Sequence, residues 1–246
     1  MTNRKDRRRE RLFVIEGVRL AEEALRSGAQ FSFAVYNPDQ LQATERGRAL
    51  LDQIAVLRDV YEAPPDVITA VSDTVTPQGI VAVVPWPTVE APRTSVDLIL
   101  DAVQDPGNVG TLLRTAEATG VGNVICTAGT ADVYSPKVVR SAMGAHFRLP
   151  IEQDVDWDAV PSLLIGSDNV YAAVASASMP YYAADWRQPS ALIVGNEANG
   201  VSDQGVSIAT KQISIPMAAA VESLNAAVAG SVILFEALRQ RRLGRS

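Results

Sequence analysis

The sequence holds one cysteine, Cys126, and one histidine, His146. A lone thiol closes no disulfide within the chain, and so few soft ligands leave almost nothing from which to build a zinc site. A reducing, cytoplasmic setting without a metal is expected. Cys126 lies in the apolar run VICTA, which points to a buried structural thiol. Long hydrophobic runs are missing as well. The most apolar stretch, Met217 to Leu238, is broken by Glu222, Ser223, Asn225 and Glu236, so it falls short of the roughly 18–20 residues that a membrane span needs. The basic start is not followed by the apolar core of a secretory signal, because Glu16, Arg19, Glu22 and Glu23 intervene. A soluble chain with no membrane partner is expected. Its 246 residues, 47% hydrophobic and 20% charged, have the composition of a folded globular protein, with a length between one domain and two.

The 22 basic and 28 acidic residues give a net charge of −6. Spread evenly, this excess would disfavour a nucleic-acid partner, but it is not spread evenly. Arg4, Lys5, Arg7, Arg8, Arg9 and Arg11 crowd the start, and Arg239, Arg241, Arg242 and Arg245 the end, of an otherwise acidic body. Phosphate contact responds to local basic clusters more than to total charge, so both ends are compatible with RNA. Charge alone equally fits two solvated, frayed termini.

After this leader (residues 1–11), Leu12 to Ile15 can open a strand or lead into a helix. Val18, Ala21 and Leu25 keep helical spacing, and Gly28 stands where a helix stop belongs. The alternating FSFAVY (31–36), a polar helical segment to about Ile54, the strand VLRDVYEA (56–63), a short helix from Asp66 to Val71 and the strand GIVAVVP (79–85) complete a small α/β unit. This gives a front domain at 12–87, and the proline-rich, aperiodic stretch that follows makes 88–95 a linker. The remainder, 96–246, alternates strands (96–103, 123–128, 170–175, 191–195, 212–216) with helices (near 109–119, 136–143, 157–165, 202–209 and from Asn225 to Arg241). Such alternation indicates a parallel sheet covered on both faces, with ligands beyond the strands' carboxyl ends.

The loops after those strands hold the unusual residues. In DAVQDPGNVGTLLRTA (101–116), Asp105-Pro106-Gly107 makes a turn and Asn108 is a good N-cap. Arg114, less than two turns in, is long enough to return to the helix mouth, where amides and a guanidinium suit phosphate or ribose oxygen. A cap with a surface arginine explains the same segment. IVGNEANGVSD (193–203) sets Gly195 and Gly200 around Asn196 and Glu197, but it lacks both the P-loop ending and GxGxxG, which disfavours nucleoside triphosphate chemistry. In ISIPMAAAVESLNAAVAGSVILFEAL (213–238), capping by Ser223 accounts for one of the polar residues Glu222, Ser223 and Asn225, not three. SPKVVRSAMGAHFRLP (135–150) places Lys137, Arg140 and Gly144 on one helical face, either simply solvated or facing phosphate.

Together these segments resemble the SpoU (TrmH-like) RNA 2′-O-ribose methyltransferases of the SPOUT superfamily. DPGNVGTLLRTA, IVGNEANGVSD and IPMAAAVESLNAAVA look like the family's three motifs in order, and SPKVVRSAMGAHFRLP looks like the stretch between the first two. The likeness covers 96–242 and extends forward, where LFVIEGVRLAEEAL and VSDTVTPQGIVAVV resemble the family's RNA substrate-binding domain. The resemblance implies an α/β fold class: a SPOUT-type parallel sheet with a deep trefoil knot, preceded by a small ribosomal-protein-like α/β domain. It also implies a homodimer and S-adenosylmethionine bound in a bent form. By match to the motifs, Ala175, Val194, Gly195, Asn196, Gly200, Ile215, Met217, Ser223 and Leu224 are expected to hold the cofactor. Asn108, Arg114, Glu197, Ser223 and Asn225 are expected to line the reacting centre, and Arg7, Arg8, Arg9, Arg11, Arg19, Lys137 and Arg140 to contact RNA. Two departures bear on loop flexibility: Ala198-Asn199 replaces a frequent Gly-acidic pair, and Ala218-Ala219-Ala220 a glycine-containing run.

The implied reaction aligns a ribose 2′-hydroxyl with an activated methyl group and removes its proton. The family gives the base role to the arginine at Arg114, yet a guanidinium ordinarily keeps its proton. Either a special environment deprotonates Arg114, or Arg114 anchors a phosphate and steadies the alkoxide while the proton leaves elsewhere. Ribosomal RNA is the expected substrate. Transfer RNA methylation, or RNA binding without catalysis, are the alternatives. The resemblance also leads to the expectation that Arg114 of one protomer meets the Ser223–Asn225 segment of the other.

Overall fold

The computed structural model describes residues 3–90, 96–164, 166, 169–218 and 223–243. Most of the expected linker, together with Ala219, Ala220, Glu222 and Arg245, lies outside the described residues. Contacts divide the chain into two units, Met1–Thr88 with Tyr134–Arg148, and Val89–Val133 with Leu149–Ser246.

The first unit runs α1 (Arg4–Glu10), β1 (Leu12–Glu16), α2 (Val18–Arg26), β2 (Phe33–Tyr36), α3 (Pro38–Gln42), α4 (Glu45–Ile54), β3 (Val60–Glu62), α5 (Pro65–Val71) and β4 (Ile80–Pro85). Its sheet has the order β1-β4-β2-β3, with β4 antiparallel to both neighbours and β2 parallel to β3. The leader is helical because the Asn3 side chain accepts from the Asp6 amide at 2.9 Å and so caps α1. This helix changes the expected RNA contacts. Arg7 is only 5% exposed, Arg9 pairs with Glu10 at 2.7 Å and Asp6 at 3.5 Å, and Arg11 lies over the Trp86 ring at 5.3 Å. Arg7 is thus withdrawn from the surface, while Arg8, Arg9 and Arg11 remain exposed.

Within the same unit, Phe13 packs against Tyr134, His146 and Phe147 at ring-centre distances of 5.1, 5.8 and 5.8 Å. His146 is accordingly a buried member of an aromatic cluster. The helix Pro136–Ala142 ends where Met143 and Gly144 turn to positive φ, 52° and 91°, so Gly144 does not continue the expected basic face. Arg140 pairs with Asp73 at 2.8 Å, whereas Lys137 is exposed.

The second unit begins with β5 (Val96–Leu100), α6 (Pro106–Thr119) and β6 (Asn123–Thr127); α7 is the helix Pro136–Ala142 just described. It continues with β7 (Ile151–Val155), α8 (Val160–Leu163), β8 (Asn169–Ala173), β9 (Met179–Pro180), β10 (Ser190–Val194), α9 (Asp203–Ile208), β11 (Lys211–Ser214) and α10 (Ala226–Leu243). The strand order is β7-β6-β5-β10-β8-β11-β9, with parallel pairing throughout. The strands β5, β6 and β10 are buried along their whole length, as near-continuous apolar runs require. Cys126 sits inside this sheet; burial, then the charge of Asp154, pushes its thiol up to about 12. α10 lies close because residue 230 is glycine: a Cβ there would come within 2.5 Å of Leu112 and 3.1 Å of Val194. The C-terminal arginines have local work too. Arg241 donates to the Trp186 carbonyl at 2.7 Å, and Arg239 forms a two-pronged pair with Glu236 at 2.7 Å.

Candidate active site

In a parallel sheet the carboxyl ends of adjacent strands open into a crevice. Here the ends of β8, β10 and β11 and the start of α10 enclose a cavity of about 700 Å³. Ala175, Val194, Gly195, Asn196, Gly200, Ile215, Met217, Ser223 and Leu224 all border it, alongside Glu197 and Asn225. The lining is mainly backbone and small or aliphatic side chains. That composition suits a ligand held by main-chain groups, with an apolar part enclosed.

The loop after β10 is built by its own residues. Asn196 and Gly200 exchange two backbone hydrogen bonds of 2.9 Å. The Asn196 carboxamide accepts from the amides of Ala198 and Asn199 and donates to the Ala102 carbonyl at 2.8 Å. The Asn196 side chain therefore holds the cavity wall in place. Gly195 is required there, since a Cβ would lie 2.1 Å from the Gly200 carbonyl carbon.

A relay of carboxamides joins the three motifs. Glu197 Oε1 accepts from Asn108 Nδ2 at 2.9 Å and from the Asp105 amide at 3.1 Å, while Oε2 accepts from the Gln104 amide at 3.1 Å. Asn108 Oδ1 accepts from Asn225 Nδ2 at 2.9 Å, and Asn225 Oδ1 accepts from the amides of Ala227 and Val228 at the start of α10. A carboxylate only accepts, so it fixes which way each amide points along the relay. Burial alone would raise the Glu197 carboxyl, but the hydrogen bond from Asn108 and those from backbone amides outweigh it and hold the group below the usual range.

Two capping expectations are corrected by this relay. Asp105, not Asn108, is the N-cap of α6, its side chain accepting from the Asn108 amide at 2.9 Å. Asn225, not Ser223, caps α10, and Ser223 is exposed on the cavity rim. With α6 starting at Pro106, Arg114 lies more than two turns in. It is six residues beyond Asn108, hence about 9 Å along the axis and rotated by about 240°. Asn108 is buried, whereas Arg114 is exposed, lies outside the cavity lining and forms no hydrogen bond or ion pair with the described residues. One protomer does not bring Arg114 to the helix mouth.

Comparison with known proteins places this geometry. Residues 95–235 match the model of the SpoU rRNA Methylase family, and residues 1–82 that of the MRM3-like substrate binding domain. The chain belongs to the SpoU rRNA methylase family. It is 34% identical to the 23S rRNA (guanosine(2553)-2′-O)-methyltransferase RlmP of Bacillus subtilis, covering 94% of this chain and 90% of that one. It is 32% identical to the 23S rRNA (uridine(2479)-2′-O)-methyltransferase of Streptomyces viridochromogenes, covering 99% and 88%. The crystal structure of the SpoU methyltransferase AviRb from Streptomyces viridochromogenes with the cofactor AdoMet superposes with a TM-score of 0.86 at 30% identity, over 98% of this chain and 94% of that one. In this SpoU chain the α/β fold with its parallel sheet agrees with those structures.

Sequence reasoning missed Asp101, Gln104 and Asp105. Asp101, 2% exposed, accepts from the Ser202 amide at 2.6 Å and pins the far end of the loop after β10. Its signal in the sequence is an acidic residue directly after an apolar strand. Gln104 acts through its backbone amide, which leaves no mark on residue type, and Asp105 through both its amide and its capping side chain.

Proposed function

We propose that the SpoU chain methylates ribosomal RNA at a centre completed by a second copy of itself. The chain is an S-adenosylmethionine-dependent RNA ribose 2′-O-methyltransferase, and the substrate-binding domain at its front and its relatives' rRNA specificities support ribosomal RNA as the substrate. The cavity fits the cofactor: its volume of about 700 Å³ lies within the range of about 300–1,000 Å³ usual for small-ligand sites, and Gly195 opens a cradle that any Cβ would fill. When bound, S-adenosylmethionine supplies a methyl group on a sulfonium. Gly195, Ile215 and Leu224 hold it through backbone and apolar contacts, beside the Ala175 loop. Glu197 is a positioning residue whose carboxylate orders Asn108 and, through it, Asn225.

The observation carrying the shared centre is the position of Arg114, exposed and remote from the relay of its own protomer. Support for the homodimer comes from α10, where Val228, Val232 and Phe235, 48%, 36% and 53% exposed, recur at helical spacing as an uncovered apolar stripe. The deep trefoil knot belongs to the same reading, supported by the superposition on AviRb. In this dimer the Arg114 cation of one protomer meets the Ser223–Asn225 segment of the other. It holds a neighbouring phosphate and stabilises the 2′-alkoxide, while the proton passes to water or to the substrate's phosphate.

Mixed dimers test the arrangement. Arg114→Ala paired with Asn225→Ala leaves one intact centre if the centre is shared, restoring about half of wild-type methyl transfer to 23S rRNA. A mixed dimer that binds the RNA but transfers no methyl group refutes sharing.

A further inference from the structure

We infer that the turn closing β6, residues 127–131, is a positioning element for methyl transfer: it holds the chain that leaves β5 so that the Gln104 and Asp105 amides meet the Glu197 carboxylate. The inference deepens the reading above, in which Glu197 orders Asn108 and Asn225, and rests on it.

The chain leaves β5 through a residue in an unfavourable conformation. Ala102 has φ +51°, in the left-handed region that alanine seldom occupies and keeps only where its surroundings enforce it. Both of its backbone groups are held. Its amide donates to Thr127 Oγ1 at 3.0 Å, and its carbonyl accepts from Asn196 Nδ2 at 2.8 Å. Just before it, the Leu100 carbonyl accepts from the hydroxyls of Thr127 at 3.3 Å and Thr130 at 3.0 Å; just after it, the Val103 carbonyl accepts from the Ala131 amide at 2.9 Å. Thr127 and Thr130 are both buried. Their hydroxyls are thus committed to the backbone of the neighbouring strand and its exit. Gly129 lets the turn come this close, since a Cβ there would lie 3.2 Å from the Ala102 Cβ.

The bond to Val103 is the lever. In a trans peptide the carbonyl and the amide point in opposite directions within one rigid plane. The peptide joining Val103 to Gln104 gives its carbonyl to Ala131 and its amide to Glu197 Oε2 at 3.1 Å, so fixing one end aims the other. One residue on, the Asp105 amide reaches Glu197 Oε1 at 3.1 Å, the oxygen that also accepts from Asn108. The turn therefore sets where the carboxylate sits, and with it the start of the carboxamide relay. Neither threonine borders the cavity. The loop after β10 also keeps its own bonds, between Asn196 and Gly200 and between Asp101 and Ser202. Loosening the turn should then slow the reaction and spare cofactor binding.

The test measures methylation of 23S rRNA by the full-length protein, with titration calorimetry for S-adenosylmethionine. Thr127→Val keeps the shape of the side chain but can neither accept from Ala102 nor donate to Leu100. It should lower kcat on the order of tenfold, as a small misplacement of reacting groups does, with the KM for RNA and the cofactor affinity within about threefold of wild type. Thr127→Ser, which keeps both bonds, should restore the rate. Adding Ala102→Gly to Thr127→Val should recover most of the loss, because glycine takes a positive φ without being held there. A hydroxyl that served only the stability of the sheet would not be replaced in this way. Thr119→Val removes another buried threonine hydroxyl, one bonded to the Thr115 carbonyl within α6, and as the control should keep the wild-type kcat. Thr130→Val leaves Leu100 its bond from Thr127; it should lower kcat about threefold, the loss of one weak hydrogen bond, and it decides the question if Thr127→Val does not fold. Glu197→Ala separates the inference from the reading beneath it. If Glu197→Ala is slow while the Thr127 and Thr130 variants are not, or if neither serine nor glycine restores the rate, the turn has no positioning role. A Glu197→Ala enzyme with wild-type kcat overturns the relay itself.

Discussion

Replacing Gly195 by alanine tests whether the loop after β10 is a fixed cofactor wall. The new Cβ would lie 2.1 Å from the Gly200 carbonyl carbon, 2.2 Å from the Val201 nitrogen and 2.3 Å from the Gly200 oxygen, about 1.3 Å short of ordinary contact at 3.4 Å. All three obstacles are backbone, so no rotamer relieves them, and the loop must withdraw. Doing so strains an overpacked site at about 1–3 kcal/mol and weakens the two Asn196–Gly200 hydrogen bonds, worth about 1 kcal/mol each. The expected total is about 3 kcal/mol, or roughly 10 °C in the unfolding temperature of a chain this size. Cofactor affinity should fall by about a hundredfold, because displacement of a binding wall by an ångström has consequences of that order. Titration calorimetry with S-adenosylmethionine, well below the unfolding temperature, measures it. Gly120→Ala is the control: it meets a positive φ of +72° but has nothing within 4 Å of its Cβ. It should cost some stability and no affinity. A Gly195→Ala protein that binds within about threefold of wild type would refute the reasoning.

Arg114→Ala should abolish methyl transfer and leave the cofactor's calorimetric affinity unchanged, because the arginine lies outside the cavity; a large affinity loss would make it a cofactor ligand or a structural residue. The Glu197 carboxyl is held low in the folded state, so its contribution to stability is fully present above the ordinary glutamate value of 4.5 and is lost as acidification carries the pH down through the lowered folded value. Glu197→Gln should therefore flatten the acid limb of the unfolding-temperature profile; an unchanged limb would show that the relay is not linked to that proton. Cys126 should resist alkylation at pH 8 in the folded protein and react on unfolding, as its burial and raised thiol require; rapid labelling of the native protein, followed by mass spectrometry, would contradict that.

Much of the architecture was legible because apolar strands such as VDLIL and ALIVG are buried on both faces and leave unbroken runs. Strand β7, IEQDV, escaped notice: only Val155 of its five residues is buried, so it carries no such run. The caps were misplaced for a related reason. Asn108 has a cap's side chain, but its partner is Glu197, 89 residues away, and that distant acceptor decides its use. Likewise Asn225 rather than Ser223 closes the relay to α10. The excursion of Tyr134–Arg148 into the first unit depends on Tyr134 stacking on Trp86 and packing at a tilt against Phe13, a long-range packing choice that local periodicity does not encode. Arg7 illustrates the same limit, since basic character predicts attraction to phosphate while its burial follows from where α1 folds.

The cavity is assembled almost wholly from segments made after the first strands of their sheet. Of its four walls, Ala173–Ala175 alone precede residue 190; the others come from the ends of β10 and β11 and from α10 as far as Ile233. A nascent chain can therefore pair β5, β6 and β7 while it still has nowhere to put a cofactor, whereas β8 waits for β10, its neighbour in the sheet. At a synthesis rate of about 5–20 residues per second, the stretch from Gly195 to Ile233 takes a further two to eight seconds or so. An enzyme directed at ribosomal RNA thus gains chemical competence beside its own ribosome only after α10 has been made.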